Sequence, residues 1–239
     1  MSQGLLVRVG IDATSGGWNG PCNENEFCYV PMGSSKDLTP NYDTAYAPFR
    51  RSVELFLPES AHRRCRWPHR LPRKGHCDPD FRQLSFGDAG MRGARIFSEI
   101  SPGDFLVFYA GLRSVDTGCL KYSIIGFYVI DHMIKARDVP QEDWHRNAHT
   151  RDGGCHRDGD VVLFAKPGES GRLLRHLQIG SYRDGAWRVT EDLLAEWGGL
   201  SVKNGYIQRS AYLPMFTDPK RFMAWFKRQN PQLIALDNP

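Results

Sequence analysis

The run from Ser101 to Asp131 constrains this chain more than any other. It reads SPGDFLVFYAG, then a short polar break, then KYSIIGFYVID. Pro102-Gly103-Asp104 is a turn, Phe105 to Tyr109 a strand ending on Ala110-Gly111, and Tyr122 to Ile130 a second strand interrupted by Gly126. Aromatic and β-branched runs this close in sequence pair as neighbours. The glycine inside the second run marks a bulge, or a point where another group approaches the backbone closely.

Shorter elements surround this pair. Leu5 to Ile11 reads as a first strand running into the turn-rich loop Asp12 to Pro21, and Glu26 to Met32 as a second strand. Prolines 40, 48, 58, 68, 72 and 79 forbid long helices across 36–90, where Phe49 to Leu57 is the one regular candidate. Met91 to Ile100 has helical spacing, and 131–145 reads as partly helical up to Pro140. Val161 to Ala165 is a short buried strand, followed by a turn at 166–171 and one or two helical turns over Arg172 to Leu177. Thr190 caps a helix that stops at Gly198, and Asp218-Pro219 opens another with Phe222, Trp225 and Phe226 on its apolar face. Strands and helices mix without βαβ alternation, which predicts an α+β fold built as a mixed or antiparallel small barrel with flanking helices and long loops. The whole span 1–239 reads as a single domain with a basic, Pro-rich insertion at about 36–90.

Composition narrows the function classes. No apolar run approaches the ~18 residues of a membrane span, and the start, MSQGLLVRVGID, lacks the basic lead-in and apolar core of a signal peptide. The expected location is the cytoplasm, with no membrane partner. The six cysteines include no CxxC pair and read as reduced thiols. Net charge is only +4, but Arg50 to His76 holds eight Arg/Lys and two acids, an electrostatic footprint for phosphate or else a solvated loop.

Four constellations carry potential chemistry. In the loop after the first strand, Asp12 precedes a glycine pair, Trp18 and Asn19. A carboxylate there holds a ribose hydroxyl or a metal while backbone amides meet phosphate; neither a P-loop lysine nor dinucleotide-fingerprint spacing is present. His76-Cys-Asp78-Pro-Asp80-Phe81, followed by Phe86-Gly-Asp88, sets a histidine beside carboxylates, the material of a general base, a partial metal site or a plain loop staple. Its ligand spacing lacks the pairs of a structural zinc site, so no metal is assigned. Asn147, His149 and Arg151, with Ser170 and Arg172 beyond the next strand, offer base-edge and phosphate contacts. Gly-Glu-Ser-Gly-Arg is not a nucleophile elbow. Arg209, after the Asn204-Gly205 turn, adds a phosphate contact or sits on a surface strand. Trp18, Phe81, Phe86, Tyr109 and Trp144 are stacking platforms or simply core.

Taken in order, RVGID…SGGWNGP, HCDPDF…FGD, GDFLVFYAGL, IIGFYVID, NAHT and KPGESGRLL resemble the nucleotide-modification-associated domain family, third type, over about residues 5–228. The central strands, about 95–165, are also similar to PUA-like and EVE-like barrels that bind modified bases or RNA. The first resemblance implies a place in gene clusters that make or handle modified DNA bases. It directs attention to Asp12, Trp18, His76, Asp78, Tyr109, Asn147, His149, Ser170 and Arg172.

Three functions follow. The favoured one is recognition of a nucleotide or modified base within a nucleic-acid modification system, in a pocket at Tyr109 lined by Trp18 and Asn147 over the open backbone of Gly111 and Gly126. The alternative is an enzyme, transferase or hydrolase, acting on a nucleotide or nucleobase. There Asp12, His76, Asp78 and His149 do the acid–base work, and Arg172 holds phosphate. The third is a structural subunit that docks through its basic segment. Expected partners are a nucleotide or nucleic acid and other proteins of a modification gene cluster; the residues specify no cofactor.

Overall fold

The computed structural model describes residues 2–13, 16–33, 45–71, 74–151, 159–208 and 213–239. In chain order its strands are β1 (Gly4–Arg8), β2 (Pro21–Cys22), β3 (Met32–Gly33), β4 (Gly75–His76), β5 (Ser85–Asp88), β6 (Phe105–Ser114), β7 (Leu120–Lys135), β8 (Val161–Ala165), β9 (Gly171–Gln178), β10 (Gly180–Arg183), β11 (Ala186–Val189) and β12 (Leu233–Ile234). The helices are α1 (Ala47–Phe56), α2 (Gly90–Glu99), α3 (Glu191–Glu196) and α4 (Pro219–Arg228).

The 101–131 pair is the centre of an eight-stranded mixed sheet. β6 lies antiparallel along one edge of β7, from Phe105 opposite Val129 to Arg113 opposite Leu120. Along the other edge, β9 pairs with the first half of β7 and β8 with the second. β1 and β2 join β6 in parallel, β12 joins β9, and β5 joins β8. The strand path β1-β6-β7-β8-β5 is open, and no closed barrel is found among the described residues. The α+β class holds in this coarser form.

Gly126 sits at the expected bulge. Phe108 faces Gly126 while Tyr109 faces Ile124, so Ile125 is the extra residue. Across it the two faces exchange: Ile124 and Phe127 enter one core, Ile125 and Tyr128 the other. Both faces of the central strands are covered, which is why these strands read as continuous apolar runs rather than alternating ones. The first core gathers Leu5, Val7, Phe108 and Tyr128 with Tyr29 and Phe81. The second gathers Leu6, Phe105, Val107 and Phe127 under Trp197, Phe222, Trp225 and Phe226. In α4, Asp218 caps the helix by accepting from the Arg221 N–H at 3.1 Å, and Phe222 stacks on Phe105 at 5.6 Å.

Several local expectations are corrected. Arg172 to Leu177 is strand β9, not helix; ladders to β7 and β12 override its helical apolar spacing. Residues 131–135 extend β7, and only 3-10 turns follow, at Ala136–Asp138 and Gln141–Arg146. Glu26 to Met32 is not a continuous strand: only Met32 joins one, β3, while Phe27 bridges Cys22 and the backbone of Tyr29 is held by the Asn238 side chain through two 2.8 Å bonds. The first strand stops at Arg8, before Gly10 turns the chain with φ +76°. Within 36–90, Phe49 to Leu57 falls in α1 and its C-cap, but β5 also contributes a strand to the main sheet. Thr190 precedes α3 without a side-chain cap bond.

Candidate functional site

The site forms where β5 and β8 meet. Their ladder sets Gly87 opposite Val162 and Asp88 opposite Val161, which brings Asp160, just before β8, to the Asp88 end of β5. β4, paired with β3, delivers His76, and the turn after it delivers Asp78. The turn after Gln141–Arg146 delivers Asn147 and His149, its shape fixed by Asn147, whose Oδ1 accepts the His149 N–H at 2.8 Å and whose Nδ2 donates to Ser85 Oγ at 3.1 Å.

The side chains then converge. His149 Nε2 lies 3.2 Å from Asp78 Oδ2 and 3.4 Å from His76 Nε2, and His76 Nε2 lies 3.7 Å from the same Asp78 oxygen. The other ring nitrogen, His149 Nδ1, faces Asp160 Oδ2 at 3.4 Å. Asp78 Oδ1 accepts the Gly87 N–H at 2.7 Å. Asp78, Asn147 and Asp160 are buried, whereas the His76 side chain is 26% exposed and opens the cluster to solvent.

Charge follows from these contacts. Burial works against a charge on Asp78, yet hydrogen bonds from His149 and His76 hold its carboxyl below its ordinary value. Burial would also lower His149, but its bonds to Asp160 and Asp78 prevail and push it up to about 10. Without another cation, His149 is therefore an imidazolium bridging two carboxylates. At the end of β5, burial raises the Asp88 carboxyl despite the Arg92 guanidinium 2.8 Å away. The cluster thus combines donors, acceptors and tuned carboxyls suited to proton transfer or to cation binding.

Among the described residues, two groups place three metal-ligating atoms within 4.8 Å of one another: His76, Asp78 and His149; and Cys77, Asp80 and Asp237. The second also draws on the 76–80 turn, through Cys77 and Asp80. There Asp80 pairs with Arg151 at 2.5 Å, and Asp237 accepts from the Phe81 N–H at 3.1 Å. Burial holds the Cys77 thiol well above its ordinary range. These contacts fasten loops.

The remaining residues singled out from sequence lie elsewhere. Asp12 pairs with Arg8 at 2.8 Å. Trp18 is buried, donates to the Arg64 carbonyl and packs on Trp67 at 5.5 Å. Asn19 donates to the Gly111 carbonyl at 2.9 Å and so covers that backbone. Phe81 is fully buried, and its ring lies where a Gly126 Cβ would stand, 2.4 Å away. Tyr109 is also fully buried and donates to the Ile207 carbonyl at 2.8 Å. Ser170 accepts the Val129 N–H at 2.9 Å. Arg172 is buried over the Phe27 ring, bonded to the carbonyls of Phe27 and Leu173, and burial lowers it to about 10. Arg209 lies outside the described residues. The expected pocket at Tyr109 over Gly111 and Gly126 is therefore filled by the protein's own side chains. Sequence reasoning missed Asp160, whose one signal is an acid directly before an apolar strand, and the Gly87 amide.

No helix among the described residues is long and apolar enough to cross a membrane. No curated protein and no solved structure shows significant similarity to the chain. A family model described as nucleotide modification associated domain 3 matches residues 3–209, a span that holds His76, Asp78, His149 and Asp160. The chain belongs to the nucleotide modification associated domain 3 family.

Proposed function

We propose that the protein is an enzyme of a nucleotide modification system, acting as a transferase or hydrolase on a nucleotide or nucleobase. His76, Asp78 and His149 stand at its reacting centre, with Asp160 orienting His149. One observation carries this reading. Two histidines and two aspartates from three chain segments meet in a partly open cluster, with Asp78 held by the Gly87 N–H and the His149 backbone by Asn147. Carboxylates on both sides of one imidazole fix its orientation at the reacting centre.

Recognition of a strand has a separate support. A cavity of about 780 Å3 is lined by Arg50, Arg66, His69, Tyr46 and Trp67 from the basic segment. Its wall also carries Glu54 and Glu59; Arg50 is paired with Glu54 at 2.7 Å, and Arg66 donates to the Glu59 carbonyl at 3.3 Å.

A thermal-shift titration with nucleoside mono- and triphosphates and a short single-stranded DNA separates the two. Under the enzyme reading a mononucleotide stabilises the wild type, by about 5–10 °C at a hundredfold excess over Kd. The shift disappears in His149→Gln and survives Trp67→Leu. Stabilisation by DNA alone, lost in Trp67→Leu and retained in His149→Gln, would sink the enzyme reading.

A further inference from the structure

We infer that His76, Asp78 and His149 bind one divalent transition-metal ion of the zinc class, through two imidazoles and one carboxylate, with a fourth position open toward solvent. This goes beyond the reading of the cluster as a reacting centre, because ion binding belongs to the three side chains whether or not turnover follows.

The geometry is that of a ligand triangle. Bonds of about 2.0–2.1 Å set at the tetrahedral angle put ligand atoms about 3.3–3.4 Å apart. The three edges here are 3.4 Å between the two Nε2 atoms, 3.2 Å from His149 Nε2 to Asp78 Oδ2, and 3.7 Å from His76 Nε2 to that same oxygen. Cis ligands around octahedral magnesium would lie about 2.9 Å apart, and that ion prefers oxygen donors. A proton satisfies a single edge of such a triangle, whereas an ion at its centre satisfies all three corners.

The supports around the ligands fit the same reading. Asp160 takes the far nitrogen of His149, which fixes the N–H there and turns the Nε2 lone pair inward, as carboxylates do behind ligating histidines. The Gly87 N–H occupies Asp78 Oδ1 and leaves Oδ2 facing the histidines. Gly87 also clears space, since a Cβ there would lie 2.4 Å from His149 Cδ2. The 26% exposure of His76, against 12% for His149 and 5% for Asp78, places the open side at His76.

Co2+ titrated into the chelator-stripped full chain tests this. The expected result is one equivalent bound, with the intense visible absorption of four-coordinate Co2+ and displacement by Zn2+. His76→Ala and His149→Ala abolish the bands while circular dichroism stays native. Asp160→Asn weakens binding about 10–100-fold with the spectrum kept. Absence of a one-equivalent site, or bands that persist in both histidine variants, would overturn the inference. Nucleotide turnover by a protein that takes up no Co2+ would overturn it and leave the enzyme reading standing. Ion binding without turnover would uphold the inference while the enzyme reading falls.

Discussion

Gly87 supports the site by what it lacks and by what it donates. Its N–H holds Asp78 at 2.7 Å, and its missing Cβ makes room for the His149 ring and for Asn147 Oδ1, which would lie 2.4 and 2.8 Å from an added methyl group. Gly87→Ala forces those two side chains to move. The expected outcome is a loss of about 1–3 kcal/mol in denaturant unfolding, with nucleotide-dependent stabilisation gone; unchanged ligand response in this variant would contradict the arrangement. At this scale the sequence was partly legible. His76, Asp78, Asn147 and His149 stood out because polar, chemistry-bearing types cluster in turn-rich loops. That the two loops meet, 73 residues apart, was not, because local pattern carries no information on which turns the sheet brings together. Nor does pattern show that Tyr109 and Arg172, both side chains of binding-site type, bond to backbone carbonyls inside the fold.

Among the elements, β12 and the residues after it show how a terminal segment fastens the site loop from behind. β12 pairs with β9, Asn238 holds the backbone of Tyr29, and Asp237 reaches the Phe81 N–H and the Cys77 thiol. Burial, with the nearby Asp80 charge adding to it, pushes the Asp237 carboxyl up to about 7, against the Phe81 N–H, Arg82 and the Cys77 thiol. Its folded value is thus above the ~3.9 of an unfolded aspartate. The contribution of this group is full below about pH 4 and fades as pH rises through 7. Asp237→Asn keeps the accepting oxygen and removes the titration. Melting curves from pH 4 to 8 should therefore show the wild type losing stability relative to the variant, and parallel curves would contradict the account. Element types were read well where pattern and packing agree, as at Val161 to Ala165 and α4. They were misread at 172–177, where apolar spacing suits a helix but the free edge of β7 takes a strand.

Over the whole molecule, one sheet separates two cores, and the loops at the β5–β8 junction bring His76, Asp78, His149 and Asp160 together. The central strands were legible because burial on both faces leaves a long apolar signature. Their open path was not, since strand order depends on contacts distant in sequence. Asn19 and Phe81 close over the glycines of the 101–131 pair, whose part is to hold β8 where β5 can pair with it. The most direct test of the central claim is nucleoside mass spectrometry after incubating the full chain with DNA and a deproteinised cell extract that supplies nucleotides and small-molecule donors. The account predicts that one nucleoside or nucleotide changes mass with the wild type and none changes with His149→Gln. Identical profiles for the two proteins would contradict it.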